Sequence, residues 1–202
     1  MKSYFVSGIG TDVGKTIASA ILVEALEADY WKPIQAGELE NTDTMKVRSL
    51  ISNKKSTFHT ERYLLSLPQS PHAAAANDGI EIDLKTIQIT NTNNTLIIEG
   101  AGGLMVPLNN ECLVIDLIQQ LKTEVILVSR NYLGSINHTL LSFEALKSRN
   151  IPIAGIIFNG KPNKASEEFI LKHTQLRCIL RIDEEQEITK ARISKYKSVL
   201  KL

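Results

Sequence analysis

Six short runs, SYFVSG, DYWKPI, TLIIEG, EVILVSR, PIAGIIFN and RCILRI, are apolar at consecutive positions instead of alternating positions. A strand reads this way when helices cover both faces of its sheet, because neither face meets water. Between the runs lie IASAILVEALEA, MKVRSLISN, LVIDLIQQLK, TLLSFEALKSRN and ASEEFILKH, each with apolar residues near i, i+3 and i+4. Ile17, Ile21, Leu22 and Ala25 give the first of them a sheet-facing stripe. Strand–helix alternation of this kind predicts an α/β fold, three layers deep, with a mainly parallel sheet flanked by helices. At 202 residues, with no internal repeat and no compositional break, the chain is expected to form one domain over 1–202. The stretch from Ser52 to Thr95, with LPQSPHAAAANDG and TNTNNT, reads as the least ordered part.

Composition excludes several classes of function. A formal net charge of +1 gives no broad basic footprint for nucleic acid. The basic C-terminal stretch KARISKYKSVLKL reads as a solvated helix face. No apolar run approaches the roughly 18 residues of a membrane span, and MKSYFVSG is interrupted too early to be a signal peptide. Cys112 and Cys178 stand far apart without metal-ligand spacing, so buried free thiols and a reducing cytoplasm are expected.

The chemistry concentrates at four places. The first is SGIGTDVGKT, Ser7–Thr16, between a strand and a helix. Helix N-terminal amides and the helix dipole attract anions. Gly14 permits close approach to phosphate, and Gly8 or Gly10 is expected to take positive φ. Lys15 supplies a cation for β- and γ-phosphates and Thr16 a hydroxyl for Mg²⁺. The usual G-x-x-x-x-GK[ST] spacing, however, puts Ile9 where a glycine belongs.

The second place is Lys32, ending a strand before a proline. It points either into the crevice at the strands' carboxyl ends or out to solvent. The third is Asp43 in NTDT, a helix N-cap or a metal ligand. The fourth is Glu99, which follows Leu96, Ile97 and Ile98 and precedes GAGG. A carboxylate is costly inside a sheet, but at its carboxyl edge it can hold Mg²⁺. The glycines after it let backbone amides crowd around an anion.

In order along the chain, the loop G-x5-GKT from Gly8, WKPIQAG, NTDT, SPHAAA, IIEGAGGLMVPL, LGSINHTLLSFEAL and GIIFNG resemble the dethiobiotin synthetases. These P-loop enzymes are ATP-dependent carboxylases that close the ureido ring in biotin synthesis. The family's loop carries one residue more than the common motif, so the resemblance makes Gly8 the first glycine. It implies ATP and Mg²⁺, with 7,8-diaminononanoate and CO₂ as the other substrates. It further implies nucleotide contacts from Asp12, Val13, Gly14, Lys15, Thr16, Ile17 and the adenine-reading Asn159, and a metal held by Thr16, Asp43 and Glu99. Thr11, Lys15 and Lys32 would act on the carbamate. Ala36, Gly102 and Gly103 would line the substrate, joined across a homodimer interface by Leu133, Gly134, Ser135 and Asn137.

His138 is expected to order that turn instead of transferring protons. The chain departs from the family at Ala36, usually Ser or Thr, at Tyr132, where some members have lysine, and at Leu180 and Asp183, in place of a Gly and a Pro. Two other readings compete. A partitioning ATPase acting through protein partners typically carries a signature lysine where this chain has Gly10. A small-molecule kinase often has an arginine-rich lid, and Ser52–Thr60 has lysines but no arginine.

Overall fold

The computed structural model describes residues 2–89 and 92–202. Nine strands and seven helices follow in the order β1 (Ser3–Gly8), α1 (Lys15–Leu26), β2 (Asp29–Trp31), β3 (Ile34–Ala36), α2 (Asp43–Leu50), β4 (Phe58–His59), β5 (Tyr63–Leu65), α3 (Pro71–Asn77), β6 (Leu96–Gly103), α4 (Val114–Leu121), β7 (Glu124–Arg130), α5 (Ser135–Ser148), β8 (Ile153–Asn159), α6 (Lys164–Thr174), β9 (Cys178–Ile182) and α7 (Lys190–Lys195) among the described residues. Seven strands form one sheet in the order β4-β2-β6-β1-β7-β8-β9, and β3 pairs with β5 beside it. Every strand pair in both sheets is parallel. The expected α/β architecture is therefore present.

Side chains alternate across a strand, so each strand feeds two cores. Tyr4, Val6, Tyr30 and Ile97 pack with α1, α2 and α7 through Ile21, Leu22, Val47 and Ile193. Phe5, Trp31, Leu96 and Ile98 pack on the other face with α3, α4 and α5 through Ala74, Ile115, Ile118 and Leu146. Ile156 and Phe158 continue that side beneath α6 at Ile170. Successive parallel strands run to opposite sides of β1, which makes its carboxyl end the switch point where open α/β sheets leave a crevice.

Sequence periodicity had missed several elements. Lys32 and Pro33 split DYWKPI into β2 and β3, since proline has no N–H for the ladder. The Ser52–Thr95 stretch holds β4, β5 and α3, corrected from its reading as the least ordered part. Its strands are too short to show periodicity, and α3 is a single short helix with four consecutive alanines behind a proline at its first turn. The tract TNTNNT lies partly outside the described residues. In the basic C-terminal stretch Ile193 is buried, while Tyr196, Leu200 and Leu202 pack partly against the core. One face of that stretch is thus docked instead of wholly solvated. Cys112 and Cys178 are free thiols as expected, but half-buried instead of buried.

Candidate active site

The loop after β1 is shaped by steric necessity at two of its glycines. A side chain at Gly8 would put Cβ 2.5 Å from Val13 Cγ2 and 2.8 Å from the Gly10 carbonyl. A Cβ at Gly10 would meet nothing within 4 Å among the described residues. Neither has positive φ, contrary to expectation; Asp12 at φ 56° and Gly14 at φ 94° take the left-handed turn instead. Gly14 carries a second constraint, because a Cβ there would lie 2.1 Å from Asn159 Nδ2. Ile9 is no defect: its side chain enters the core and its N–H donates to Val128 O at 3.1 Å.

Behind the loop, α1 begins at Lys15 with the Ala18 N–H closing its first turn on Gly14 O. The amides of Lys15, Thr16 and Ile17 belong to that first turn, where a helix offers unbonded N–H groups to an anion. Lys15 Nζ donates to Gly10 O at 3.0 Å. Burial, and then the neighbouring Lys32 charge, push its pKa down to about 8.

Lys32 is the crevice residue and not a surface one, at 4% exposure. Its Nζ lies 2.7 Å from Asp43 Oδ2 and 3.2 Å from Glu99 Oε1, and donates to Gly100 O at 3.1 Å. Burial alone would lower its pKa, but the attraction of Glu99 and Asp43 outweighs that and raises it. Asp43 is likewise desolvated, yet the Lys32 ammonium holds its carboxyl below the usual range. The cap of α2 is Thr42, whose side chain accepts from the Met45 N–H. Asp43 sits one residue later and its side chain is directed to Lys32 and Thr16.

Thr16 Oγ1 stands 2.9 Å from Glu99 Oε1 and 3.2 Å from Asp43 Oδ1. Three hard oxygens, two of them anionic, thus converge beside Lys15, the donor chemistry that suits Mg²⁺. These two carboxylates are a sparse set: no group of three His, Cys, Asp or Glu able to hold a metal occurs among the described residues. A cation here would need its remaining ligands from phosphate and water, as Mg²⁺ usually takes them.

One cleft of about 970 Å³ collects these groups. Of the expected residues, Thr11, Asp12, Gly14, Lys15, Thr16, Ile17, Lys32, Ala36, Asp43, Glu99 and Gly102 line it. Val13 turns its side chain into the core, and its carbonyl accepts from Asn159 Nδ2 at 2.8 Å. Asn159 therefore braces the loop, with one N–H and its carbonyl left in its inventory. Between β1 and β6 the pairing slips from Val6↔Glu99 to Gly8↔Gly103, a bulge that displaces GAGG toward the loop. Gly102 lies there at φ 68° near Thr11.

Gly103 lines a shallower hollow of about 370 Å³, which shares Thr11 and Val106 with the cleft and reaches Leu104, Met105, His138 and Leu141. Leu133, Gly134, Ser135 and Asn137 line neither space. Leu133 projects fully into solvent. In this turn the His138 backbone N–H donates to Gly134 O, and its ring Nδ1 is 2.7 Å from the Tyr132 hydroxyl.

A family model described as an AAA domain matches residues 2–192. The ATP-dependent dethiobiotin synthetase BioD of Cytophaga hutchinsonii is 55% identical over 97% of this chain and 95% of its own. That of Christiangramia forsetii is 55% identical over 96% of this chain and 94% of its own. The chain belongs to the ATP-dependent dethiobiotin synthetase family. Solved structures share the fold alone. The septum site-determining protein MinD of Pyrococcus horikoshii, complexed with Mg-ADP, superposes with TM-score 0.59 at 14% identity, covering 96% of this chain and 85% of that one. A ParA family ATPase of Chlorobium tepidum gives 0.55 at 10% identity, covering 98% of both chains.

As a dethiobiotin synthetase, the chain carries residues in the cleft wall, and one buried behind it, that its sequence did not single out. Tyr30 donates to Glu99 Oε2 at 3.0 Å, and Gln35 Oε1 accepts from the Asp43 N–H at 3.2 Å. Burial, then the Glu99 charge, raise the Tyr30 pKa well above its ordinary value. Lys46, Ser70, Pro71 and Ile188 also form cleft wall. Tyr30 was within reach of sequence reasoning, since it lies two residues from Lys32 and so on the same sheet face. Ile188 was not: it comes from the loop after β9, across the sheet from Lys32. Of the two departures near it, Leu180 is a buried β9 residue, and the Asp183 N–H donates to the Tyr196 hydroxyl at 3.1 Å.

Proposed function

We propose that this synthetase carboxylates 7,8-diaminononanoate with CO₂ at the expense of ATP, closing the ureido ring of dethiobiotin. The reading is carried by the convergence of Lys15, Lys32, Thr16, Asp43 and Glu99 in one cleft, in a chain 55% identical to named synthetases over nearly its whole length. One amine of the substrate takes up CO₂ to give a carbamate and releases a proton. A carbamate oxygen attacks the γ-phosphorus, ADP leaves, and a carbamic–phosphoric anhydride results. The second amine attacks its carbonyl carbon, phosphate departs with the bonding pair, and the ring closes with loss of a proton. No protein atom is covalently attached, so the chain's task is positioning and neutralising charge.

The residues present divide that task. First-turn amides of α1 and Lys15 face the triphosphate. Lys32, just beyond β2, stands beside Asp43 and Glu99, and from there would reach the carbamate. Thr16, Asp43 and Glu99 would hold Mg²⁺, which when bound supplies positive charge to the phosphate oxygens. The apolar hollow at Leu104, Met105 and Leu141 suits the substrate's methylene chain, with Gly102 and Gly103 on the way to it. Asn159, beside the loop, would read adenine. A homodimer is part of the reading: Leu133, Gly134, Ser135 and Asn137 line neither space in their own chain, and the first turn of α5 would serve a second copy's substrate carboxylate. Light scattering at assay concentration tests this, a fully active monomer excluding it. A single domain over 1–202 is supported by the one seven-stranded sheet. No helix among the described residues is long and apolar enough to cross a membrane; a cytoplasmic location is proposed with the function.

Purified protein given diaminononanoate, bicarbonate, Mg²⁺ and ATP should yield dethiobiotin, ADP and phosphate in equal amounts. ATP turnover indifferent to the diamine but stimulated by a protein partner would favour the partitioning-ATPase reading instead.

A further inference from the structure

Glu99 is the most deeply placed carboxylate of the cleft, at 1% exposure, and its two oxygens face different surroundings. Oε1 meets Thr16 Oγ1 at 2.9 Å and Lys32 Nζ at 3.2 Å, on the side of the phosphate loop. Oε2 meets only one side-chain donor among the described hydrogen bonds, the Tyr30 hydroxyl at 3.0 Å. Tyr30 is fully buried, in register with Ile97 across β2 and β6, so its side chain shares a sheet face with that of Glu99. Its ring is backed by Phe58 of β4, with centroids 5.8 Å apart, and Phe58 is in turn covered by the Arg48 guanidinium.

We propose that Tyr30 is a positioning residue for the metal site: it holds Oε2 of Glu99 from behind and so aims Oε1 at the point shared with Thr16 and Asp43. A glutamate has three side-chain torsions, and a carboxylate free to rotate presents either oxygen or neither to a cation. A donated hydrogen bond on the rear oxygen selects one orientation before the metal arrives. It also satisfies an acceptor that burial would otherwise leave unpaired. Lys32 cannot supply this, since its ammonium lies on the same oxygen that faces the metal. The inference rests on the reading of Glu99 as a metal ligand, and the test separates the two.

The measurement is calorimetric binding of a non-hydrolysable ATP analogue to the full chain, as a function of Mg²⁺ concentration and again in EDTA. Variants are Tyr30→Phe, Glu99→Gln and the pair together. Tyr30→Phe keeps the ring and its packing on Phe58. It should raise the Mg²⁺ midpoint roughly tenfold, the scale of a lost outer-shell partner, with analogue affinity in EDTA unchanged. In the Glu99→Gln background the same change should shift the midpoint by less than about twofold, because the group it orients is gone.

A normal midpoint in Tyr30→Phe with a shifted one in Glu99→Gln overturns the role of Tyr30 and leaves Glu99 as ligand. Normal midpoints in both overturn the metal reading and this inference with it. Weaker binding of Tyr30→Phe in EDTA, by the same factor as with Mg²⁺, reveals general loosening and also overturns it. A wild-type measurement needs no variant: coordination of Glu99 weakens it as an acceptor, so Mg²⁺ added to the analogue complex should perturb the ultraviolet band of a buried tyrosine. Absence of that difference signal overturns the proposal as well.

Discussion

Lys15 and Lys32 are both nearly withdrawn from water, at 8% and 4% exposure, and differ in what receives the ammonium. Lys32 is set between two carboxylates and its pKa rises. Among the described residues Lys15 donates to the Gly10 carbonyl alone, and its pKa falls to about 8. The Lys32 ammonium is thus compensated within the protein without a ligand, whereas Lys15 on the phosphate loop is desolvated and under-compensated. A triphosphate would supply what the loop lacks. The difference separates a charge that organises the protein from one held in reserve for its ligand.

The largest test of that contrast is Lys15→Ala. Losing a cation preorganised for phosphoryl transfer should lower turnover on the order of a thousandfold, read by coupled ADP release. The thermal midpoint at pH 7 should not fall. As pH drops from about 10.5 to about 8, the unfolded chain binds the Lys15 proton before the folded chain does, so the buried charge opposes folding below that window. A folded variant with near-normal turnover breaks the comparison on the loop side.

Lys32→Ala should do the reverse to stability. Asp43 and Glu99 lose the cation set between them, with only the half-exposed Lys46 left 3.8 Å from Asp43 among the described residues, at a cost of about 3 kcal/mol in denaturant melts. Mg²⁺ without nucleotide should recover part of that loss, since it can replace the missing positive charge. No loss of stability would show that the carboxylates do not depend on Lys32.

A smaller effect sharpens the contrast within one protein. Affinity of the free enzyme for the ATP analogue should decline several-fold as pH rises from 7 through about 8, the range in which Lys15 loses its proton. Lys32, with its raised pKa, keeps its charge there. The decline should be absent in Lys15→Ala; a decline that persists assigns it to another group. Smallest of all is Gly10→Ala, which meets open space at ordinary φ and should change stability by less than about 0.5 kcal/mol in the same melts. A large loss there would restore Gly10 as a structural glycine and undo the assignment of that role to Gly8.

How much of this was legible beforehand varies by residue. Runs of consecutive apolar residues foretold β1, β6, β7, β8 and β9, because a strand covered on both faces has no polar side to confuse the pattern. Elements of two or three residues, such as β4 and β5, are too short to carry a period at all. In the site, Lys15 and Thr16 were marked by an uninterrupted local motif. Asp43 was ambiguous because aspartate both caps helices and binds cations; only the presence of Thr42 in the capping position released it.

The sequence by itself determined the layered parallel sheet, the phosphate loop and the family, and it marked as candidates the five groups that meet in the cleft, Lys15, Thr16, Lys32, Asp43 and Glu99. It could do so because each depends on neighbours within about a turn of helix or a few strand residues. Only the tertiary structure decided which way Lys32 points, that Gln35 and Ile188 share the cleft with Lys15, and that Tyr30 stands behind Glu99. Those facts depend on strand order, which sets β6 between β1 and β2 from places tens of residues apart. Burial then sets the charge of each lysine by what stands opposite it, a property no single stretch of sequence contains.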